Sequence, residues 1–452
     1  MNMPHYNTAL FLFRRDLRLS DNTALNAALQ SAQQVIAGFV FDERQINPHP
    51  YQSQPALQFM RQSLADLAGQ LQAVNAQLSL FQGLPVQVIR DLHQQHAIQA
   101  VFINRDYSPF SRQRDAEIAD VCRQLNIALH SLPDALLTEP EQALKHDGSA
   151  YKVFTAFYHH VQKRPVPAPQ ALTNGQFLSV ASTAPPDSLT AVGNWGGQGG
   201  RTAGLARLAQ LQHCADYALE RDFPALAATS QLSAHLKFGT LSVREAFAAI
   251  TRQLGAEHPL LRQLYWRDFM THIAYHYPAV FGHAFIGKFD GLVWDNNRAY
   301  FQAWAEGRTG FPIVDAGMRE LNATGFMHNR VRMITASFLV KDLRISWRWG
   351  ERYFAQHLTD YDPCVNNGNW QWAASTGCDA QPYFRIFNPW LQQQKFDPQG
   401  DYIYRWLPEL RSVPIKTLHQ WPQKHYGDFY PAPIVDHSTE VQITKARFKA
   451  AG

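Results

Sequence analysis

Short apolar runs alternate with longer amphipathic ones over the first 132 residues. Thr8–Phe13 and Val35–Phe41 are nearly continuous apolar stretches, as expected of strands covered on both faces. Gln77–Phe81, Ala100–Ile103 and Ala128–Leu132 read as three further strands. Between them, 56–71 places Leu57, Met60, Leu64, Leu67 and Leu71 at helical spacing, and 85–95 and 111–125 repeat that periodicity. Strand–helix alternation predicts a doubly wound parallel sheet, with ligands at the carboxyl ends of its strands. The first such end is Arg14-Arg15-Asp16-Leu17-Arg18, and the absence of a following GxGxxG excludes an ordinary dinucleotide fold.

The pattern changes after the sheet. Residues 164–204 are rich in Pro, Gly, Ser and Thr and read as a long connector; Gly196–Gly200 lacks phosphate-loop spacing and reads as flexible linker. From 205 onward helical periodicity dominates. Ser242-Val-Arg-Glu245 is a capping box, and 263–277 and 317–340 are long helical runs without Pro. The tail beyond 420 is polar and Pro-broken, hence irregular. The expected fold is an α/β N-terminal domain (1–132), a connector (133–204) and a mostly α-helical C-terminal domain (205–452).

One stretch fits neither period. Asp360 to Pro389, DYDPCVNNGNWQWAASTGCDAQPYFRIFNP, reads as an ordered loop with short helical turns, punctuated by Gly368, Gly377 and three prolines. Trp370 and Trp372 sit beside Asn366 and Asn367 there. Core packing is the commoner fate of a single Trp, but ordered aromatic loops also bind flat ligands.

Composition narrows the chemistry. With 452 residues, 46% hydrophobic and 17% charged, the chain suits a multidomain globular protein. A net charge of +4 permits a local basic groove but no histone-like surface. Four scattered cysteines suggest neither a disulfide framework nor a zinc site, which fits a reducing, cytoplasmic setting. No apolar run approaches membrane-spanning length, so no membrane partner is expected. No GxSxG, HExxH or EF-hand spacing occurs, and the His159-His160 and His272/His276 pairs lack partners, so no metal is expected.

Polar residues inside apolar helical sequence carry more signal. Asn329 and Met333 share a helical face bordered by Arg332. A buried Arg332 needs a carboxylate, and Asp360 and Asp362 are candidates. Hydroxyls at Thr229, Ser230, Ser233, Thr240 and Ser242 cluster near helix starts, where phosphates bind, although plain caps use the same residues. Arg221, Arg330, Arg385 and Trp266-Arg267 interleave with aromatics, the composition that holds a nucleic-acid backbone and stacks an unpaired base. A solvated charged face over core aromatics is the blander reading.

These motifs, together with FRRDLRLSDNTAL at the N-terminus, AYKVFTAFY at 150–158, YALERDFPALAATSQLS at 217–233, YWRDF at 265–269 and the 307–343 segment, resemble the photolyase/cryptochrome family over nearly the whole chain. The pattern is most similar to bacterial class I cyclobutane pyrimidine dimer photolyases. The resemblance implies one non-covalent FAD in the helical domain and light-driven electron transfer from reduced FAD to a flipped-out dimer in damaged DNA, with a monomeric protein. It assigns flavin-phosphate contacts to Tyr217 and to Thr229, Ser230, Gln231, Leu232 and Ser233. Asn329, Asp360 and Asp362 fall along the isoalloxazine and adenine, Arg332 pairs with the first Asp, and Gln263 and Arg267 match further pocket positions. Asn366 matches the residue facing flavin N5. Trp370, Trp347 and Trp294 match an electron-transfer chain running outward to the surface. Trp266 and Trp372 match the walls of the lesion pocket, Met333 and Asn329 its floor, and Arg221, Arg330, Arg385 and Gln392 its DNA contacts. Trp370 and Trp372 are expected to point apart because residues two apart in an extended or turn-like segment do so.

Two departures stand out. Gln263 replaces the usual Glu, keeping hydrogen bonds but losing a carboxylic proton, and Phe326 replaces a usual Trp. Gln263 motivates two alternatives, a blue-light receptor of cryptochrome type and a (6-4) photoproduct enzyme. The latter needs two His where this chain has Asn329 and Met333. A non-enzymatic flavin or nucleotide-binding module is a third alternative. For an antenna chromophore, Ser108 replaces the Glu of folate-binding members. Asp106 and Lys237 match deazaflavin-binding members, although an Arg expected near Ala56 is missing, so a deazaflavin, another flavin and no antenna all stay open.

Overall fold

The computed structural model describes residues 6–183, 195–420 and 429–451. Its sheet has five parallel strands in the order β3-β2-β1-β4-β5: Tyr6–Phe13, Ala32–Phe41, Ser79–Gln82, Ala100–Asn104 and Ala128–Leu132 for β1 to β5. All five expected strands are present, within a few residues at their ends. The order reverses between β1 and β4, opening a crevice at their carboxyl ends. Alternation along β1 feeds both faces: Ala9, Phe11 and Phe13 enter one core, Leu10 and Leu12 the other. Helices Gln54–Gln72, Pro85–His96 and Pro109–Gln124 cover the sheet as their periodicity predicts. The helix Thr23–Ser31, capped by Asn22, is additional.

The second half is helical, and the strands found among the described residues all precede residue 133. The capping box forms as read: Ser242 accepts from the Glu245 amide at 2.9 Å and Glu245 accepts from the Ser242 amide at 2.9 Å. Three sequence readings need correction. The 317–340 run is not one helix. It divides into Pro312–Thr324 and Asn329–Ser337, because Gly325 takes φ +72° and His328 caps a new start. The tail is not wholly irregular: His437–Ala450 is a helix, while 421–428 lie outside the described residues. Gly199 and Gly200 are docked rather than free. Their amides donate to Gln62 and Ser63, and a Cβ on either would overlap the Gln54–Gln72 helix.

Buried charge joins the two halves. Arg18 and Arg244 both meet Asp134, at 2.6 and 2.8 Å, and Arg244 also reaches Asp21 at 2.9 Å. Arg15, just past β1, bridges Asp106 and Asp362. Removing one partner of such a pair leaves an uncompensated buried charge, typically costing about 3–5 kcal/mol.

Helices cross where side chains are absent. Gly350 lies against the Trp370 ring and the Leu339 side chain, with no room for a Cβ. Gly69 has nothing within 4 Å of its Cβ position. Gly350→Ala should therefore destabilise the protein by about 1–3 kcal/mol through overpacking, and Gly69→Ala should stabilise it by about 0.4–1 kcal/mol. Urea unfolding of both variants measures the contrast; equal midpoints would refute the crossing argument.

Candidate functional site

The stretch expected to be a loop with short helical turns contains a continuous twelve-residue helix, Pro363–Ala374. Asp362 caps it, accepting from the Cys364 and Val365 amides at 3.0 and 3.1 Å, and Pro363 occupies the first turn. Gly368 does not break the helix; it allows close approach to Met270 on the helix Leu261–His276. The helix ends at Ser375, with φ +62°. Asn366 and Trp370, four apart, share one side. Trp372 lies about 200° around from Trp370. Their divergence is thus helical rotation, not the alternation of an extended segment. Trp370 is buried at 2% exposure, whereas Trp372 is half-buried.

Polar groups are placed around this helix. The Asn366 Nδ2 donates to the Glu351 carboxylate and to the Glu351 main-chain oxygen, each at 3.0 Å; among the described residues no hydrogen bond reaches its Oδ1. Arg332 meets Asp360 through two bonds of 3.2 and 3.0 Å, so Asp360 is the carboxylate that it needed. The Asp362 side chain is taken by its own helix and by Arg15. Burial alone would raise its carboxyl, but the Arg15 and Arg267 guanidinium groups outweigh burial and hold it below the usual range. Asn329 and Met333 share a face, with Nδ2 to Sδ at 3.7 Å; Asn329 is exposed and Met333 half-buried.

Trp347 and Trp370 belong to one buried cluster, and Trp294, half-buried, packs against its edge. The three indoles expected to form a series are therefore contiguous with a single core. Tyr217 and Leu232 share another cluster. Thr229, Ser230, Gln231 and Ser233 reach the surface around the start of the helix Ser233–Phe238, with Gln231 at φ +50°. The three hydroxyls of Thr229, Ser230 and Ser233 make no side-chain hydrogen bonds among the described residues.

On the Leu261–His276 helix, Gln263 and Trp266 are three apart and both half-buried. Trp266 stacks on Phe154 of the connector, centroids 3.6 Å apart and planes within 7°. Arg267 donates to the Ala135 carbonyl at 2.6 Å. Arg330 is bound to Asp222 at 2.7 Å and lies over Phe396, while Arg221 reaches the same Asp222 at 3.8 Å. Arg385 is exposed, and the Gln392 Oε1 is buried without a partner.

At the strand ends a cavity of about 670 Å³ separates the halves. Ala56, Asp106, Ser108 and Lys237, the four positions singled out for an antenna, all line it. Lys237 is pushed down to about 8 by burial and by Arg15, against Asp362 and Asp106. Arg44 and Arg352 also line the cavity, supplying cations where position 56 has none. Trp347, Glu351 and Tyr51 reach it as well. Sequence reading passed over Glu351 and Tyr51, whose partners lie on other elements. The helix itself had a visible signal, Asp362-Pro363 as cap and first turn.

The residues present suit a flavin nucleotide: an open amide oxygen, an Arg–Asp pair and hydroxyls not consumed by the fold. Among the described residues no cluster of three or more His, Cys, Asp or Glu is arranged for a metal, and no helix is long and apolar enough to cross a membrane. The profile of the FAD binding domain of DNA photolyase matches residues 260–450, and that of DNA photolyase matches residues 9–172. A deoxyribodipyrimidine photo-lyase from Synechococcus is 39% identical, over 97% of this chain and 96% of its own. An archaeal photolyase from Sulfolobus tokodaii, solved with two FAD molecules, is 42% identical, covers 98% of this chain and 100% of its own, and superposes with a TM-score of 0.89. A bacterial class III photolyase from Agrobacterium tumefaciens is 33% identical at a TM-score of 0.91, over 99% and 98% of the two chains. With identity of this order along both halves, the chain belongs to the photolyase/cryptochrome family and carries its FAD-binding fold.

Proposed function

We propose that the protein is a light-driven DNA repair lyase of class I type, splitting cyclobutane pyrimidine dimers with FAD held in the helical half. The observation that carries this reading is the Pro363–Ala374 helix, which turns Asn366 and Trp370 to one side and Trp372 to another. Bound FAD in its reduced state would supply a photoexcitable electron for cleavage of the cyclobutane ring.

The chain's own residues do the rest. Tyr217 and the Thr229–Ser233 segment hold the cofactor phosphates with hydroxyls the fold leaves unused. Asn366 presents its amide to the ring edge and stays neutral whatever the charge there. Trp370, Trp347 and Trp294 form a route by which electrons resupply the cofactor. Trp266 and Trp372 wall the pocket that takes the extruded dimer, and Asn329 and Met333 line its floor. Extrusion is cheapest at a lesion, where stacking is already weakened. Gln263 hydrogen-bonds the dimer as donor and acceptor. Arg221, Arg330, Arg385 and Gln392 contact the DNA backbone. A deazaflavin rather than a folate suits the interdomain cavity, supported by Lys237, Asp106 and Ser108. The two FAD molecules of the Sulfolobus relative make a second flavin the competing occupant.

The direct test is illumination of FAD-loaded, reduced protein with DNA containing cyclobutane dimers. Restoration of intact pyrimidines is expected, and unchanged dimers would refute the reading. Trp266→Ala should weaken dimer binding by about 1–3 kcal/mol, the worth of one stacking contact, with FAD content unchanged. Arg385→Ala should weaken DNA binding and reduce the salt slope of the affinity by about one, which a binding titration at several salt concentrations reads. Gln263→Glu should change repair yield several-fold at constant flavin absorbance; loss of flavin instead would place Gln263 in the cofactor pocket's support.

A further inference from the structure

The chain between Trp372 and Arg385 is tied at both ends to one aromatic ring that the repair scheme does not use. Phe448 lies on the helix His437–Ala450 and is 3% exposed. The Lys341 ammonium stands 3.8 Å from its ring centroid, and Tyr383 stacks on it with centroids 5.6 Å apart and planes within 5°.

The first tie runs through Lys341, a buried residue of the π-helical turn Phe338–Asp342. A buried ammonium needs acceptors. Lys341 donates to the Ala374 carbonyl at 3.2 Å and to the Ser375 Oγ at 2.9 Å. Its charge thus meets the negative end of the Pro363–Ala374 helix and the electron-rich Phe448 ring. Asp362 fixes the start of that helix and Lys341 its end, two residues beyond Trp372.

The second tie is direct. The Arg385 amide donates to the Pro382 carbonyl at 3.0 Å, closing a turn with Tyr383 and Phe384 at its centre. The Gln381 side chain donates to the Arg385 carbonyl at 2.7 Å. Tyr383 stacks on the buried Phe448, whereas Pro382, Phe384 and Arg385 are exposed. The Arg385 guanidinium has no hydrogen bond or ion pair among the described residues. The helix that carries Phe448 is anchored in turn: His437 meets Asp342, Glu440 meets Arg344, and the Thr444 Oγ1 donates to the Lys341 carbonyl at 2.5 Å.

We propose that Phe448 is a positioning residue for damaged DNA: by gripping Tyr383 and Lys341 it sets Arg385 at a fixed place relative to Trp372, so that a dimer meets the pocket wall as a neighbouring phosphate meets the guanidinium. The inference rests on the functional reading above, in which Trp372 and Arg385 touch the lesion and the DNA.

A turn with three of its four residues exposed has little packing of its own to hold it. Without an anchor, Arg385 would be ordered only on binding, and that entropy cost would come out of the affinity. The stack on Phe448 orders the turn in the free protein, before DNA arrives. A flat ring is needed for this, since it offers a face both to a second ring and to an ammonium, which an aliphatic side chain does not. Phe448, being buried, acts through Tyr383 and Lys341.

The test is a double-mutant cycle on full-length, FAD-loaded protein, read by titration with dimer-containing duplex DNA at several salt concentrations. Tyr383→Ala should weaken binding about tenfold and reduce the salt slope by about one, as loss of a phosphate contact does. In an Arg385→Ala background the same change should weaken binding by no more than about twofold, because the cation that Tyr383 positions is gone. Phe448→Leu keeps an apolar side chain without a ring face, and should weaken binding at least as much as Tyr383→Ala at unchanged FAD content. Fully additive losses from Tyr383→Ala and Arg385→Ala would overturn the positioning role, and so would wild-type affinity in Tyr383→Ala or in a folded Phe448→Leu. Tyr383 is only half-buried, so its variant reads the coupling even if Phe448→Leu fails to fold. Wild-type protein with no preference for dimer-containing over undamaged DNA would overturn the functional reading, and this inference with it.

Discussion

The Asp362 carboxylate is the constraint from which the site is built. One of its oxygens caps the Pro363–Ala374 helix through two amides, and the other receives the Arg15 guanidinium from beyond β1. Arg15 is held in turn by Asp106 at 3.1 Å. A helix start is thereby fixed to the carboxyl edge of the sheet by an ion pair screened from solvent. Such a pair adds little net stability against an apolar alternative, but breaking it is costly. Its value here is positional: the rotational setting of the helix decides where Asn366, Trp370 and Trp372 point.

Two glycines let that setting be used. Gly368 admits Met270, and Gly350 admits the Trp370 ring. The helix can then pack tightly between the Leu261–His276 and Trp347–His357 helices. Asn366 reaches Glu351 across one crossing, while Gln263 and Trp266 are carried on the helix at the other. Trp266 is backed by Phe154, so the connector supplies part of a wall rather than only length.

The same arrangement links the cavity between the halves to the interior of the helical half. Glu351 belongs to both: it lines the cavity with residues from the α/β domain, and it fixes the Asn366 amide. A buried carboxyl near neutrality is poorly suited to stabilising a core and well suited to responding to its surroundings. Lys237, also moved toward neutrality by burial, lines the same cavity.

Much of this was legible in the sequence for identifiable reasons. The five strands were visible because both faces of a parallel sheet are covered, giving continuous apolar runs. The capping box was visible because its two reciprocal partners, Ser242 and Glu245, lie three residues apart in one segment. The family motifs named positions that the fold does gather: Arg332 with Asp360, Trp347 with Trp370 in one core, and Asp106, Ser108 and Lys237 around one cavity. The Pro363–Ala374 helix was misread because Asn, Gly and Trp have weak helical propensity, and that preference gives way when packing against two neighbouring helices sets the conformation. The break at Gly325 was missed because periodicity continues on either side of one left-handed residue. Docking of Gly199 and Gly200 was hidden because a glycine's freedom and a glycine's close approach look alike in one dimension. Glu351 left no trace, since its partner Asn366 lies on another element. Sequence alone therefore determined the five strands of the sheet, the division into an α/β and a helical half, and the family. Only the tertiary structure decided which polar groups meet, because ion pairs and amide orientations depend on distances between segments that local pattern does not encode.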